Sequence, residues 1–125
     1  MKYRFLALLI FLSSQFLAQE RIQFSDFLQE SKISNFTENF SKTIDLTLPN
    51  VKANYGNKQA QILVHNFFNK WPDAIYRKKH SGGGNGRPNF EIGSLTTARK
   101  TFRTYLLYNT IKTSFEVIEF RVEPE

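Results

Sequence analysis

Arg103 and Tyr105 are the residues of this sequence whose types and spacing fit a binding role most directly. They alternate with Phe102, Thr104 and Leu106, so along a strand they share one face while Phe102 and Leu106 take the other. A guanidinium grips a carboxylate or phosphate through two parallel hydrogen bonds. Arginine beside tyrosine is also a composition enriched where partners bind. The pair is therefore a candidate site for an anionic ligand or protein partner, set against the simpler reading of a solvated sheet face. Other chemistry-bearing residues exclude more than they offer. His65 and His80 stand far apart and there is no cysteine, so the ligand set of a dedicated metal site is missing. Ser81 directly follows His80, which denies the geometry of a nucleophile and its base. Gly82 to Gly86 (GGGNG) lacks the third glycine of a dinucleotide loop and the Gly-Lys-Ser/Thr of a phosphate loop. It reads as a hairpin loop. No cofactor motif is present, and no catalytic residue follows from the pattern.

The elements that must position these residues come from periodicity. Phe24, Phe27, Leu28 and Ile33 have a rough helical spacing. Ser34 is placed to cap a second short helix, with Phe36 and Phe40 four apart on one face. Ile44, Leu46 and Leu48 alternate with Asp45 and Thr47 as in a half-buried strand, which Pro49 closes. Asp45 falls on the polar side, which predicts exposure or an ion pair. From Asn57 to Trp71, the residues Ala60, Leu63, Val64, Phe67, Phe68 and Trp71 make one continuous helical stripe. Pro72 stops it, and His65 points away from the stripe toward the surface. Ile75–His80, Phe90–Thr96, Thr101–Tyr108 and Ser114–Val122 read as strands with short links, an antiparallel meander. In the last, Phe115 and Val117 share one parity and Ile118, Phe120 and Val122 the other, the mark of a β-bulge that bends the sheet. The expectation is an α+β plan, with N-terminal helices packed on a strongly curved antiparallel sheet.

Composition sets the compartment. Lys2 and Arg4 precede an apolar run of eight residues, Phe5 to Leu12, and Ala18 offers a small residue for cleavage. This predicts a signal peptide over 1–18 and a single domain over 19–125, exported to the periplasm or the extracellular space. Eight residues span about 12 Å of helix against a hydrocarbon core of about 30 Å, too short for an anchor. Without cysteine there is no lipid attachment at the cleavage point, so the product is expected to be soluble and not membrane-anchored. The chain carries 17 basic and 11 acidic residues; without Lys2 and Arg4 the balance is 15 against 11, or +4. Residues 70–112 hold nine basic residues against only Asp73 and Glu91. Export argues against nucleic acid as the partner of that stretch, leaving anionic surfaces, acidic partners or plain solvent.

Asp45-Leu-Thr-Leu-Pro-Asn50, the helix after it, His80-Ser-Gly82, Ile92-Gly-Ser-Leu-Thr-Thr97 and Phe102-Arg-Thr-Tyr105 occur in that order. Together they resemble a family of small secreted bacterial domains of unknown function with a nuclear transport factor 2-like, cystatin-like cone. The resemblance covers about Ile22 to Val122. It implies a bent sheet wrapped around helices, often enclosing a pocket, here walled by the sheet and the stripe helix. The cone hosts isomerases and dehydratases elsewhere, and Asp45, His80, Arg103 and Tyr105 are the residues that such chemistry, or ligand binding, would draw on. Fold analogy is a weak warrant for catalysis. The leading expectation is a non-catalytic binding or assembly module for a small apolar or anionic ligand or a protein partner. The alternatives are an isomerase or dehydratase and a structural domain that forms a homodimer through its sheet.

Overall fold

A computed structural model describes residues 22–125; the signal peptide expected over 1–18 and the first residues of the expected domain lie outside them. The chain opens with two short 3-10 turns, Phe24–Asp26 and Glu30–Lys32, and then helix α1, Ile33–Thr37. The longer helix expected between Ile22 and Ile33 does not form. No side chain caps either turn, and Phe24 and Leu28 are instead fully buried in the core. Anchoring of single residues by packing replaces the propagation that would repay a costly helix nucleus. Phe40 does not join α1. It begins strand β1, Phe40–Leu48, while its ring stacks edge-on against Phe36 at 5.4 Å.

Strand β2, Val51–Gly56, pairs antiparallel with β1 and forms the sheet edge. Sequence periodicity missed it, because only Val51 and Tyr55 turn to the core and Lys52, Ala53 and Asn54 are weak strand formers. Helix α2, Asn57–Lys70, follows directly and lies against β1. Ala60, Val64, Phe67 and Phe68 are buried and Leu63 and Trp71 pack beside them, as the stripe requires. His65 is half-buried, with Nε2 3.1 Å from the Thr37 hydroxyl. The expected surface histidine thus ties α2 to α1.

The remaining strands are β3 Ile75–Gly83, β4 Asn89–Thr96, β5 Thr101–Ile111 and β6 Ser114–Pro124. They form the expected meander, and the sheet order is β2-β1-β6-β5-β4-β3. One pairing departs from the antiparallel expectation: β1 runs parallel to β6, with Leu46 opposite Phe120. Helix α2 carries the chain from the β1–β2 hairpin to the far edge of the sheet, so the last strand returns beside the first with the same direction. The β6 bulge is where the parity change placed it. Leu107 faces Glu119 and Tyr108 faces Val117, leaving Ile118 extra. A second bulge leaves Lys79 extra between Lys78 and His80. Both re-aim side chains and bend the sheet. Gly84–Pro88 closes the β3–β4 hairpin, with positive φ at Gly83, Gly84, Asn85 and Gly86, the backbone that glycine and asparagine supply at least cost.

Phe24, Phe36, Phe40, Phe115 and Phe120 fill one end of the interior, and Phe67, Phe68 and Phe102 the other. None of the described helices is long and apolar enough to cross a membrane.

Candidate functional site

Cross-strand register sorts the polar residues onto the two sheet faces. On the outer face, His80, Ile92, Tyr105 and Arg121 form one row across β3, β4, β5 and β6. The Arg121 guanidinium lies 4.9 Å from the Tyr105 ring centre and pairs with Glu119 at 2.6 Å. That carboxylate holds Arg121 above its ordinary range. Arg103 lies on the next row, opposite Ser94 and Glu123, and is exposed. Arg103, Tyr105 and His80 therefore share a surface, as strand parity implied for the first two. Asp45 is on the same face but two strands away on β1, where Asn54 Nδ2 donates to it at 2.8 Å. It is exposed and has no ion-pair partner among the described residues. A shallow hollow of about 390 Å³ lies beside Arg103, Tyr105 and Arg121.

The inner face holds a constellation that the sequence reading did not select. Tyr76 on β3 donates its hydroxyl hydrogen to Glu91 Oε2 on β4 at 2.6 Å. Glu91 is only 4 % exposed. Gly93 makes the approach possible, since a Cβ there would stand 2.6 Å from the Tyr76 ring and 2.7 Å from its oxygen. Thr104, across from Gly93, buries a hydroxyl with no hydrogen-bond partner among the described residues. Tyr108, opposite Asn89, turns its ring toward Phe24 at 4.9 Å. Burial raises the Glu91 carboxyl above its usual range; the Tyr76 hydrogen bond and the Lys78 charge offset part of that. Burial also raises both phenols, with Glu91 adding to the effect, so each is a neutral donor at physiological pH.

Above Glu91 lies a cavity of about 310 Å³, walled by Lys78, Ser81, Tyr108 and Lys112 and closed on one side by Ile22 and Gln23. It opens into a broader groove of about 970 Å³ that runs along Phe27, Asn35 and Phe115. The groove has no buried ionisable side chain, whereas the cavity ends on one. Helix α2 contributes no residue to the cavity; the N-terminal segment takes the place expected of the stripe helix. None of Asp45, His80, Arg103 or Tyr105 lines it. A signal for Glu91 did exist, as one of only two acids in the basic stretch 70–112, sharing parity with Leu95. Phe90 and Ile92 pull the other parity inward on apolar grounds, and that conflict concealed it.

The family described as "Domain of unknown function (DUF4783)" matches residues 22–123. Among solved structures, a DUF4783 family protein from Bacteroides ovatus superposes with a TM-score of 0.71 at 15 % identity, covering 85 % of this chain and 96 % of that one. Another from Bacteroides uniformis gives 0.71 at 17 % identity, covering 84 % and 98 %. A cystatin-like protein of unknown function from Nostoc punctiforme gives 0.60 at 13 % identity, covering 82 % and 83 %. The cone fold that the ordered motifs implied is thus shown. No curated protein matches the sequence.

Proposed function

Because the chain belongs to the DUF4783 family, whose description assigns no reaction, we propose from its site that it is an exported, non-catalytic binding module. The observation that carries this reading is the distribution of filled and open space. Aromatic rings occupy the cone, and beside the broader groove there stays open a cavity near the lower end of the range for small-molecule sites, about 300–1,000 Å³. Its floor is a buried carboxyl oriented by a tyrosine, which is the few-polar-groups arrangement that gives a pocket its specificity. Asp45 and His80, the residues on which an isomerase or dehydratase reading drew, lie outside the cavity.

Native mass spectrometry of protein recovered from its own host tests both halves of the proposal. The expected polypeptide begins at Gln19 and retains a small molecule. Ser81→Trp, which puts an indole into the cavity from an exposed position opposite Glu91, should fold normally and lose that molecule. A retained molecule that survives Ser81→Trp, or a chain still carrying residues 1–18, would overturn it.

A second reading rests on the outer face. Phe90 pairs with Leu107 and Ile92 with Tyr105, four half-buried apolar side chains in one block bordered by Arg103, His80, Glu119 and Arg121. Outward faces of antiparallel sheets are ordinarily polar. A block of this kind suits a protein partner or a second copy of the chain, with Arg103 available to an acidic group.

A further inference from the structure

We propose that the cavity over Glu91 recognises a small zwitterion of the α-amino acid class, its ammonium received by Glu91 and its carboxylate by Lys78 and Lys112. This rests on the binding reading above and deepens it.

Charge decides the class. Glu91 is nearly fully buried, yet no cation among the described residues forms an ion pair with it; the salt bridges there are Lys79–Glu125 and Arg121–Glu119. A buried carboxylate without a cationic partner costs several kcal/mol, and a leucine at this core-facing position would avoid that cost. Tyr76 engages only Oε2. Among the described residues Oε1 has no hydrogen-bond partner, and it is not sealed off, so it is the acceptor that Glu91 presents to the cavity. Beside it stands the Tyr108 ring, whose face attracts an ammonium group. Lys78 and Lys112 line the same cavity, are exposed, and form no salt bridge among the described residues. A purely anionic ligand would meet Glu91 at the floor, and a purely cationic one would pass two lysines to reach it. A molecule with an amine at one end and an acid at the other satisfies both.

The test is titration of the full chain at neutral pH with L-alanine, followed by backbone amide NMR, with propionate and ethylammonium as single-charge controls. Saturable shifts centred on Ser81, Glu91 and Tyr108 are expected with L-alanine. Each control should bind at least about tenfold more weakly, the scale of one charge-assisted contact. Glu91→Gln should remove the preference for L-alanine over propionate. Lys78→Ala with Lys112→Ala, at two exposed positions where folding is not at issue, should reduce L-alanine to the level of ethylammonium. The proposal is overturned by no saturable response to L-alanine, by propionate binding as tightly, or by a double-alanine variant that still discriminates. It also fails if Arg21→Ala, one residue before the cavity wall at Ile22, strengthens L-alanine binding about tenfold, because the chain's own guanidinium then holds the site. A retained host molecule without an amine would refute the zwitterion and leave the binding reading standing.

Discussion

Glu91 and Tyr76 form a buried hydrogen-bonded pair on which both the fold and the proposed site depend. Burial holds the Glu91 carboxyl above its usual range, because it penalises the charged form. A folded-state pKa above the unfolded value stabilises fully only below that unfolded value, and the contribution fades as pH rises through the raised one. Glutamine accepts the same Tyr76 hydrogen bond and has no charge to lose. Glu91→Gln is therefore expected to gain stability over the parent as pH rises from about 4, the ordinary carboxylate value, through the raised one. Thermal melts of the two proteins across that range should diverge upward and then run parallel. A gap that is constant across the range, or that narrows with rising pH, would show that the carboxyl is not held up by burial. The same substitution should cost the binding proposed at the cavity, so stability and ligand recognition are expected to move in opposite directions at this residue.

At the scale of elements, α2 divides cleanly into two faces. Phe67 is 7 % exposed and its ring stands 5.3 Å from those of both Phe68 and Phe102. Ile62, on the opposite side, is 61 % exposed. Phe67→Ala should cost about 3–5 kcal/mol, a large share of the roughly 5–15 kcal/mol that holds a domain folded. Ile62→Ala should stay within about 0.5 kcal/mol. Denaturant titrations of the two variants give the comparison, and equal midpoints would mean that the stripe does not face the core. The helix was legible in advance because its stripe repeats over about three turns and ends at a proline. The first segment was not, because its few apolar residues fit a helix and a pair of tight turns equally well. Packing of Phe24 against Phe36, Tyr108 and Phe115 selects the turns.

For the whole molecule, the sheet presents two unlike faces: an inner one that fills the cone and an outer one with an apolar block ringed by charge. If the outer block meets a second copy, sedimentation equilibrium should give a dimer for the parent. Leu107→Glu, half-buried at the centre of the block, should give a folded monomer. A parent that stays monomeric at high concentration, or a variant that stays dimeric, would remove the homodimer reading and leave the face to a different protein partner.

The sequence by itself determined the α2 stripe, the meander, the bulge in the last strand and the placement of Arg103 and Tyr105 away from the core. All of these are local periodicities, set by residues within a few positions of one another. Its ordered motifs also pointed to the family and the cone. Tertiary structure alone decided the parallel pairing of β1 with β6 and the half-buried contact of His65 with Thr37, because each depends on partners far along the chain, while the edge strand β2 is local but too poor in strand formers to be read. It also decided the site. Glu91 becomes a buried acceptor only when the bend of the sheet turns its parity inward, Gly93 admits the Tyr76 ring, and Ile22 and Gln23 close over it. No short window of sequence contains those three segments together, and the chemistry of the carboxyl depends on all of them.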